Sequence, residues 1–450
     1  MLRIICPNNN IPERTYAIDV LFNELLGCGI SEKDICFDGT ATDYTIIVGE
    51  KSIIVEDHFF QRLPEPLSYI DKANIPEKVT FFHGMGLEIP IVYGVDKFTK
   101  SEKGFIIGLD VFASTFFMLT RWEESLLGRE EKGDCDETHL FAVKMDIYQR
   151  PIVHEYEKLL KILLSGTGIK FKERSYSVVL SHDVDGFITP SWKRILKDFV
   201  KQTIHGAPKN KVLNLTWKEK VRYKLAFPMA YSQFEMYTAL TERHHIPEWF
   251  YFKVCGKGEK EATYLFNDNQ VKELVDTLKK KKNNIALGFH PSQNVFGNKH
   301  QWDKEVSRIS KLLQEKPTIG RNHHLLFNYE TLRLWESISD VTLHISNCVF
   351  HKRQGFRSGV SVPYHLFDLY QRRVMNLIEH PCQIMDTVIR YDVKTKTEDE
   401  RLLDIQNCIE QVRKYHGELV LTWHIYIRDK KLIQDYCKWC EKVLRYAVDK

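Results

Sequence analysis

The feature that most constrains the fold is an alternation of strand-like and helical segments beyond about residue 170. Short apolar runs typical of buried strands recur at Tyr176–Leu180, Trp249–Val254, Ile285–Phe289, Thr342–Ile345, Gln383–Ile389 and Glu418–Trp423. Amphipathic segments typical of helices lie between them, among them Val271–Lys280, Trp302–Glu315 and Glu398–His416. Because successive parallel strands need a crossover connection, usually a helix, this order predicts a parallel sheet. We expect the sheet to be closed, or nearly closed, into a distorted (β/α) barrel.

The residues before about 165 follow a different pattern. Strand-like and helical runs alternate at Leu2–Cys6, Tyr16–Leu26, Tyr44–Val48 and Ser52–Val55, and the last two are predicted to form a hairpin. Asp110 is a candidate N-cap for a helix that continues through Glu124. The chain is therefore predicted to be α/β throughout. We expect an N-terminal α/β domain of unassigned role over residues 1–165 and a second domain over residues 170–450.

Nothing in the sequence suggests secretion or a membrane span. The N-terminus lacks the apolar stretch and small-residue cleavage site of a secretory signal. The most apolar run, Gly104–Leu119, is interrupted by Asp110 and is too short to cross a bilayer. Ten cysteines lie scattered without regular spacing, which favours reduced thiols over a disulfide framework. These observations predict a cytoplasmic protein.

One stretch of the chain is strongly basic, although the net charge of +4 is close to balance. Between Lys193 and Lys224 there are ten Lys or Arg residues against only Asp198 and Glu219. The stretch is either a solvated helical face or a patch for an anionic partner, such as a phosphorylated substrate or a peripheral contact with the inner membrane surface. No nucleic-acid partner is expected, because the sequence contains no recognisable nucleic-acid-binding module.

Polar residues stand at the ends of several predicted strands. Asp183 and Asp185 follow the first of them, His290 follows the third and His424 follows the last, while the segment Gly320–Phe327 carries a polar Arg-Asn-His-His cluster. Each feature alone is weak, because paired Asp residues also cap loops and a single His is often structural. Since the carboxyl ends of parallel strands meet at one face, the features together predict an Asp and His metal site with a position open for water.

These motifs resemble those of the NodB-homology polysaccharide deacetylases of carbohydrate esterase family four, in a divergent bacterial branch with an extra N-terminal domain. The resemblance rests on the Asp-Val-Asp and His motifs and on segments that also match in order along the chain: Trp249–Phe252, Gly355–Arg357, Ile384–Asp386 and His424. It covers the chain from about residue 175 onward. Thr120–Glu124 resembles only the unassigned domain of the same branch.

The resemblance implies a role for each matching residue. Asp183 corresponds to the general base, Asp185 and His290 to metal ligands, and His424 to the terminal acid. Arg357 corresponds to the Arg that orients the base, and Asp386 to the later acidic motif. The family implies a divalent metal, most often Zn²⁺.

This chain departs from the family pattern at the second metal-binding His. It usually stands four residues after the first, where this chain has Asn294. We expect His323 to supply the missing ligand, with its neighbour His324 as the alternative.

The implied function is metal-dependent removal of an N-acetyl group from a sugar. A cytoplasmic location points to an intracellular polysaccharide or glycan precursor that is nucleotide- or lipid-linked, and the basic stretch would then meet its phosphates. Two alternatives stay open. One is another metal-dependent C–N hydrolase on the same barrel. The other is a catalytically silent carbohydrate-binding protein, for which Asn294 is the main argument.

Overall fold

The computed structural model describes residues 2–127, 136–187, 192–206, 216–259, 261, 264–281, 284–391, 396–426 and 430–449. Within these residues the strands are β1 (Leu2–Pro7), β2 (Ile35–Asp38), β3 (Tyr44–Val48), β4 (Lys51–Val55), β5 (Thr80–Gly84), β6 (Leu87–Ile91), β7 (Gly94–Ser101), β8 (Gly104–Leu109), β9 (Ser177–Gly186), β10 (Glu248–Phe252), β11 (Ile285–Phe289), β12 (Ile319–Gly320), β13 (Leu343–Ile345), β14 (Tyr364–Asp368), β15 (Arg373–Glu379), β16 (Cys382–Met385), β17 (Glu418–Thr422) and β18 (Ile425–Tyr426).

The α-helices of the same residues are α1 (Ile11–Asp19), α2 (Val111–Thr120), α3 (Glu123–Leu126), α4 (Phe141–Lys144), α5 (Ile152–Leu163), α6 (Trp192–His205), α7 (Trp217–His244), α8 (Asn269–Lys280), α9 (Lys299–Leu313), α10 (Tyr329–Glu336), α11 (Asp386–Tyr391), α12 (Glu398–Lys414) and α13 (Lys430–Val448). A π-helical turn, Val20–Leu25, continues α1. No helix in the described part of the chain combines the length and the apolar composition needed to cross a bilayer.

The chain divides into two compact units. The first comprises Met1–Ser177, His324–Ile384 and Asn407–Leu419, and the second comprises Val178–His323, Met385–Gln406 and Val420–Lys450. The predicted N-terminal region lies within the first unit. The predicted boundary between residues 165 and 170 stays a prediction.

The first unit contains a six-stranded mixed sheet in the order β2-β1-β3-β4-β8-β7. Strands β3 and β4 pair antiparallel, with Tyr44 opposite Val55, which confirms the predicted hairpin. Asp110 caps α2 as predicted, because its side chain accepts a hydrogen bond from the amide of Ala113. The helix ends at Thr120 and not at Glu124, since Arg121 takes a left-handed conformation that stops it.

The second unit is built on parallel strands joined by helices. Strand β10 pairs in parallel with both β9 and β11, and β11 pairs in parallel with β12. Helices α8 and α9 follow β10 and β11, so strand and helix alternate as predicted. A Cβ atom on Gly288 would lie 2.5 Å from the carbonyl oxygen of Ile319, which explains the glycine in β11. The predicted α/β class is confirmed, and the mostly parallel sheet curls into a half-barrel.

One predicted strand is largely wrong. The apolar run Gln383–Ile389 forms a strand only as far as Met385 and then continues as α11. A short apolar run does not distinguish a buried strand from a buried helix. Asp386 in the first turn favours the start of a helix at this position, because the positive end of the helix dipole stabilises a carboxylate.

Candidate metal centre

The candidate site lies at the carboxyl ends of the parallel strands of the second unit. Asp183 stands beside Tyr251 in the register of β9 and β10, and β9 continues to Gly186, so both Asp183 and Asp185 lie on the strand and not beyond it. His290 directly follows β11, and the segment with His323 directly follows β12. Because these strands run in the same direction, residues far apart in sequence meet at one edge.

Three of the residues form a group that could hold a metal ion. The ligand atoms of Asp185, His290 and His323 all lie within 4.8 Å of one another. Oδ1 of Asp185 is 3.7 Å from Nε2 of His290 and 3.5 Å from Nε2 of His323. Two atoms that each coordinate one tetrahedral Zn²⁺ at about 2.1 Å are roughly 3.4 Å apart, so these spacings fit a shared ion. His324 is not in this group, and its side chain is exposed.

Hydrogen bonds orient both imidazoles toward the carboxylate. Nδ1 of His290 donates to the carbonyl oxygen of Arg321 at 2.7 Å, and Nδ1 of His323 donates to Oε2 of Glu261 at 2.7 Å. In each ring the proton on Nδ1 leaves the lone pair on Nε2 facing Asp185. This is the arrangement of outer partners that metal-binding histidines commonly use.

Lys253 is a member of the site that the sequence did not indicate. Its Nζ lies 2.9 Å from Oδ1 of Asp185 and 3.0 Å from Nε2 of His323, and the residue is 4% exposed. The only sequence signal is a charged residue directly after the apolar strand β10, at the same edge as the other site residues. An ammonium group therefore contacts two of the three candidate ligands.

The charge states of the ligands suit a metal. Burial opposes ionisation of Asp185, but Lys253 and the two imidazoles outweigh it and hold the pKa of the carboxyl well below its usual range. Burial lowers the pKa of His323 to about 4, and Lys253 adds to this effect, whereas the hydrogen bond that His323 donates to Glu261 opposes it. The site thus presents a carboxylate and a neutral imidazole near pH 7, which are the forms that coordinate metals.

Asp183 contacts a buried guanidinium. Nη1 of Arg321 donates to Oδ1 of Asp183 at 2.9 Å, and Nη2 donates to the hydroxyl of Ser181 at 3.1 Å. The other oxygen of Asp183 lies 3.9 Å from Nε2 of His290 and 3.7 Å from Nε2 of His424. Burial raises the pKa of Asp183, but Arg321 and the imidazoles outweigh this effect, and the net shift is downward. The carboxylate is therefore ionised and next to the candidate metal group.

His424 pairs with Asp386. Nδ1 of His424 donates to Oδ1 of Asp386 at 2.6 Å, and the backbone amide of His424 donates to Oδ2 at 3.2 Å. Burial by itself would lower the pKa of His424. The carboxylates of Asp386, Asp183 and Asp185, of which Asp386 has the largest effect, together outweigh burial and raise the pKa to about 9. His424 therefore carries a proton near neutral pH, with Nε2 directed at Asp183.

The structure gathers most of the predicted site residues in the second unit. Those brought together there are Asp183, Asp185, His290, His323, Asp386 and His424. Arg357 belongs to the first unit, where Nε donates to Glu124 at 2.8 Å and Nη1 donates to the carbonyl oxygen of Val349 at 2.7 Å. The guanidinium that contacts Asp183 is that of Arg321. The predicted catalytic roles of all these residues stay predictions.

Comparisons with known proteins give distant similarities. A family model described as a family of unknown function (DUF7033) matches residues 2–168. No curated protein matches the chain. Among solved structures, the chain is similar to a provisionally named polysaccharide deacetylase involved in O-antigen biosynthesis from Bordetella bronchiseptica, with 12% identity and a TM-score of 0.29.

A second solved structure, a provisionally named polysaccharide deacetylase from Mycobacterium smegmatis, is similar at 11% identity with a TM-score of 0.36. Each of the two comparisons covers 61% of this chain and 85% of the other. Similarities this distant leave the chemistry to be inferred from the geometry of the site.

Proposed function

We propose that this chain is a metal-dependent N-deacetylase of the NodB-homology type, which removes an N-acetyl group from a sugar. The single observation that carries the proposal is the group of Asp185, His290 and His323 beside the ionised carboxylate of Asp183. In this proposal residues 170–450 form the catalytic domain, and the role of residues 1–165 is open.

The candidate ligands favour Zn²⁺. One carboxylate oxygen and two imidazole nitrogens form a three-ligand set that leaves a fourth position open, as in catalytic zinc sites. Bound there, the ion would supply Lewis acidity, which activates water near pH 7 and polarises an amide carbonyl. The buried Nε2 of His290 supports this assignment, since its distances to Asp183 and Asp185 are too long for hydrogen bonds.

Asp183 and His424 have the charge states that amide hydrolysis requires. Asp183 would accept the proton of the attacking water, because Arg321 keeps its carboxyl ionised. His424 would donate a proton to the departing sugar amine, which is a poor leaving group until it is protonated. Asp386 would hold the imidazole of His424 in the required tautomer and orientation.

In this proposal Arg321 orients the base Asp183, the role that the resemblance implies for Arg357. Its guanidinium is fully buried and bridges Asp183 and Ser181, so the carboxylate is fixed on the strand. A bidentate or bridging Arg positions a carboxylate more rigidly than a Lys would. We therefore assign Arg321 as the positioning residue for the base.

The proposed substrate is an N-acetylated sugar in an intracellular glycan precursor, carried on a nucleotide or a lipid pyrophosphate. The basic stretch from Lys193 to Lys224 would contact the phosphates of such a precursor, or anionic lipid headgroups beside a lipid-linked one. Residues 207–215 of that stretch lie outside the described part of the chain.

A catalytically silent carbohydrate-binding protein is the second candidate, and Lys253 favours it together with Asn294. An ammonium 2.9 Å from Asp185 and 3.0 Å from His323 can balance the carboxylate without any metal. Another C–N hydrolase on the same scaffold differs only in substrate, and a substrate panel separates it from the deacetylase.

The deciding experiment measures metal content and acetate release on the same preparations. We expect about one equivalent of zinc in the wild-type chain, consistent with a single three-ligand site, with loss of zinc in His290→Ala and no loss in the exposed control His300→Ala. Asp183→Asn should keep the metal and lose acetate release from N-acetylglucosamine-containing acceptors. If the wild-type protein holds no zinc after growth with added metal, the hydrolase proposal is refuted and the catalytically silent carbohydrate-binding protein is favoured.

A further inference from the structure

Helix α6 presents an apolar stripe to solvent. The stripe is formed by the adjacent pair Phe199 and Val200 and by residues one helical turn away on either side, and these lie along one side of the helix: Trp192, Leu196, Phe199, Val200 and Ile204. All are exposed, from 40% for Phe199 to 69% for Ile204. Five large apolar side chains in one exposed row form a patch of the kind that marks an interaction surface.

The opposite side of α6 packs against α7. Ile195 is buried, Asp198 forms an ion pair with Lys220 at 2.5 Å, and the side chain of Gln202 accepts a hydrogen bond from the amide of Trp217. These three residues fix the rotation of the helix on the second unit. Phe199 also packs edge-on against Trp217 of α7, with ring centroids 4.9 Å apart, so it lies at the border of the stripe. The rest of the stripe faces outward, because the polar contacts are made on the other side.

A row of lysines borders the stripe. Lys193, Lys197 and Lys201 recur every four residues and are all exposed. The single acidic residue of the helix, Asp198, is already paired with Lys220. The outward side of α6 is thus apolar along its centre and positive along one border, with no described negative charge to offset it.

We propose that α6 docks the second unit on an anionic lipid bilayer, lying in the plane of the surface. The apolar stripe would insert among the acyl chains near the headgroups, and the lysines would contact the lipid phosphates. A second copy of this chain fits less well, because two such faces would bring lysine rows together without an acidic partner. This inference builds on the lipid contact proposed above for the basic stretch, and it does not depend on the metal.

The test is co-sedimentation of the full chain with vesicles of phosphatidylcholine alone or mixed equally with phosphatidylglycerol. We expect binding to the mixed vesicles, little binding to the neutral ones, and release at high salt. Leu196→Glu and Ile204→Glu should each lower binding at least about tenfold, since each removes one inserted apolar side chain. Lys197→Gln should lower it roughly fivefold through the loss of one charge.

Leu403→Glu is the matched control, because Leu403 is 56% exposed on a different helix, α12. It should leave vesicle binding unchanged, and circular dichroism should show that all variants fold. Equal binding of wild type and Leu196→Glu would overturn the proposal. Failure of the wild-type chain to bind either vesicle type would also overturn it. This holds whether the chain is a monomer or a dimer that Leu196→Glu dissociates.

Discussion

Replacing Asp386 by Asn isolates the electrostatic part of the pair with His424. Asparagine keeps the size of the side chain and an oxygen that can accept from Nδ1, so the orientation of the imidazole is retained while the negative charge is lost. The pKa of His424 is raised from 6.5 to about 9, a difference of 2.5 units, and Asp386 is the largest of the influences that raise it. Asp183 and Asp185 also raise the pKa, whereas burial lowers it.

We therefore expect Asp386→Asn to lower the pKa of His424 by about two units, which corresponds to ~2.7 kcal/mol between its two protonation states. Near pH 7 the imidazole would then be close to half protonated. If His424 is the acid, the alkaline limb of the pH–rate profile moves from about 9 to about 7. Because the pKa of His424 is higher in the folded chain than in the unfolded chain, protonation of His424 stabilises the fold. This contribution is fully present below pH 6.5 and is lost as pH rises through about 9.

The assay is an NMR titration of histidines labelled at Cε1, with metal removed by a chelator and His424→Gln used to assign the signal. Asp399→Asn is the matched control, since Asp399 is an exposed carboxylate of the same unit. It should leave the pKa of His424 unchanged. A pKa of His424 in Asp386→Asn that stays within about half a unit of the wild-type value would refute the reasoning.

Three further predictions follow from contacts in the second unit. Lys253→Met should tighten Zn²⁺ binding at least about tenfold by calorimetry, because it removes a competing cation from two ligands, whereas exposed Lys257→Met should not. Arg321→Met should raise the pKa of Asp183 and move the acid limb of the rate profile to higher pH, with Arg321→Lys intermediate. Gly288→Ala should lower the free energy of unfolding by about 1–3 kcal/mol in denaturant titrations, since the new methyl group would clash with a facing carbonyl oxygen.

Several site residues were predictable because local pattern and strand position carry the signal. Four polar residues interrupt or follow an apolar strand, at positions where a purely structural sequence would have further apolar residues or a turn: Asp183, Asp185, His290 and His424. Parallel strands then place their ends at one edge. The sequence could therefore indicate that these side chains meet, without any knowledge of the distances between them.

Arg321 and Lys253 were missed for a physical reason. A guanidinium or an ammonium is common on protein surfaces, and nothing in the local sequence shows that either group is buried against a carboxylate. The resemblance implies the orienting role for Arg357, and that role stays a prediction. The tertiary structure places Nη1 of Arg321 at 2.9 Å from Oδ1 of Asp183 and pairs Arg357 with Glu124.

By itself the sequence determined the α/β class, the alternation of strands and helices, and the strand ends that carry Asp and His, because these follow from local periodicity and polarity. Only the tertiary structure decided which cation contacts which carboxylate, which imidazole joins the candidate metal group, and that α6 faces solvent with its apolar side. Those outcomes depend on distances and burial between residues remote in the chain. No local pattern encodes such distances.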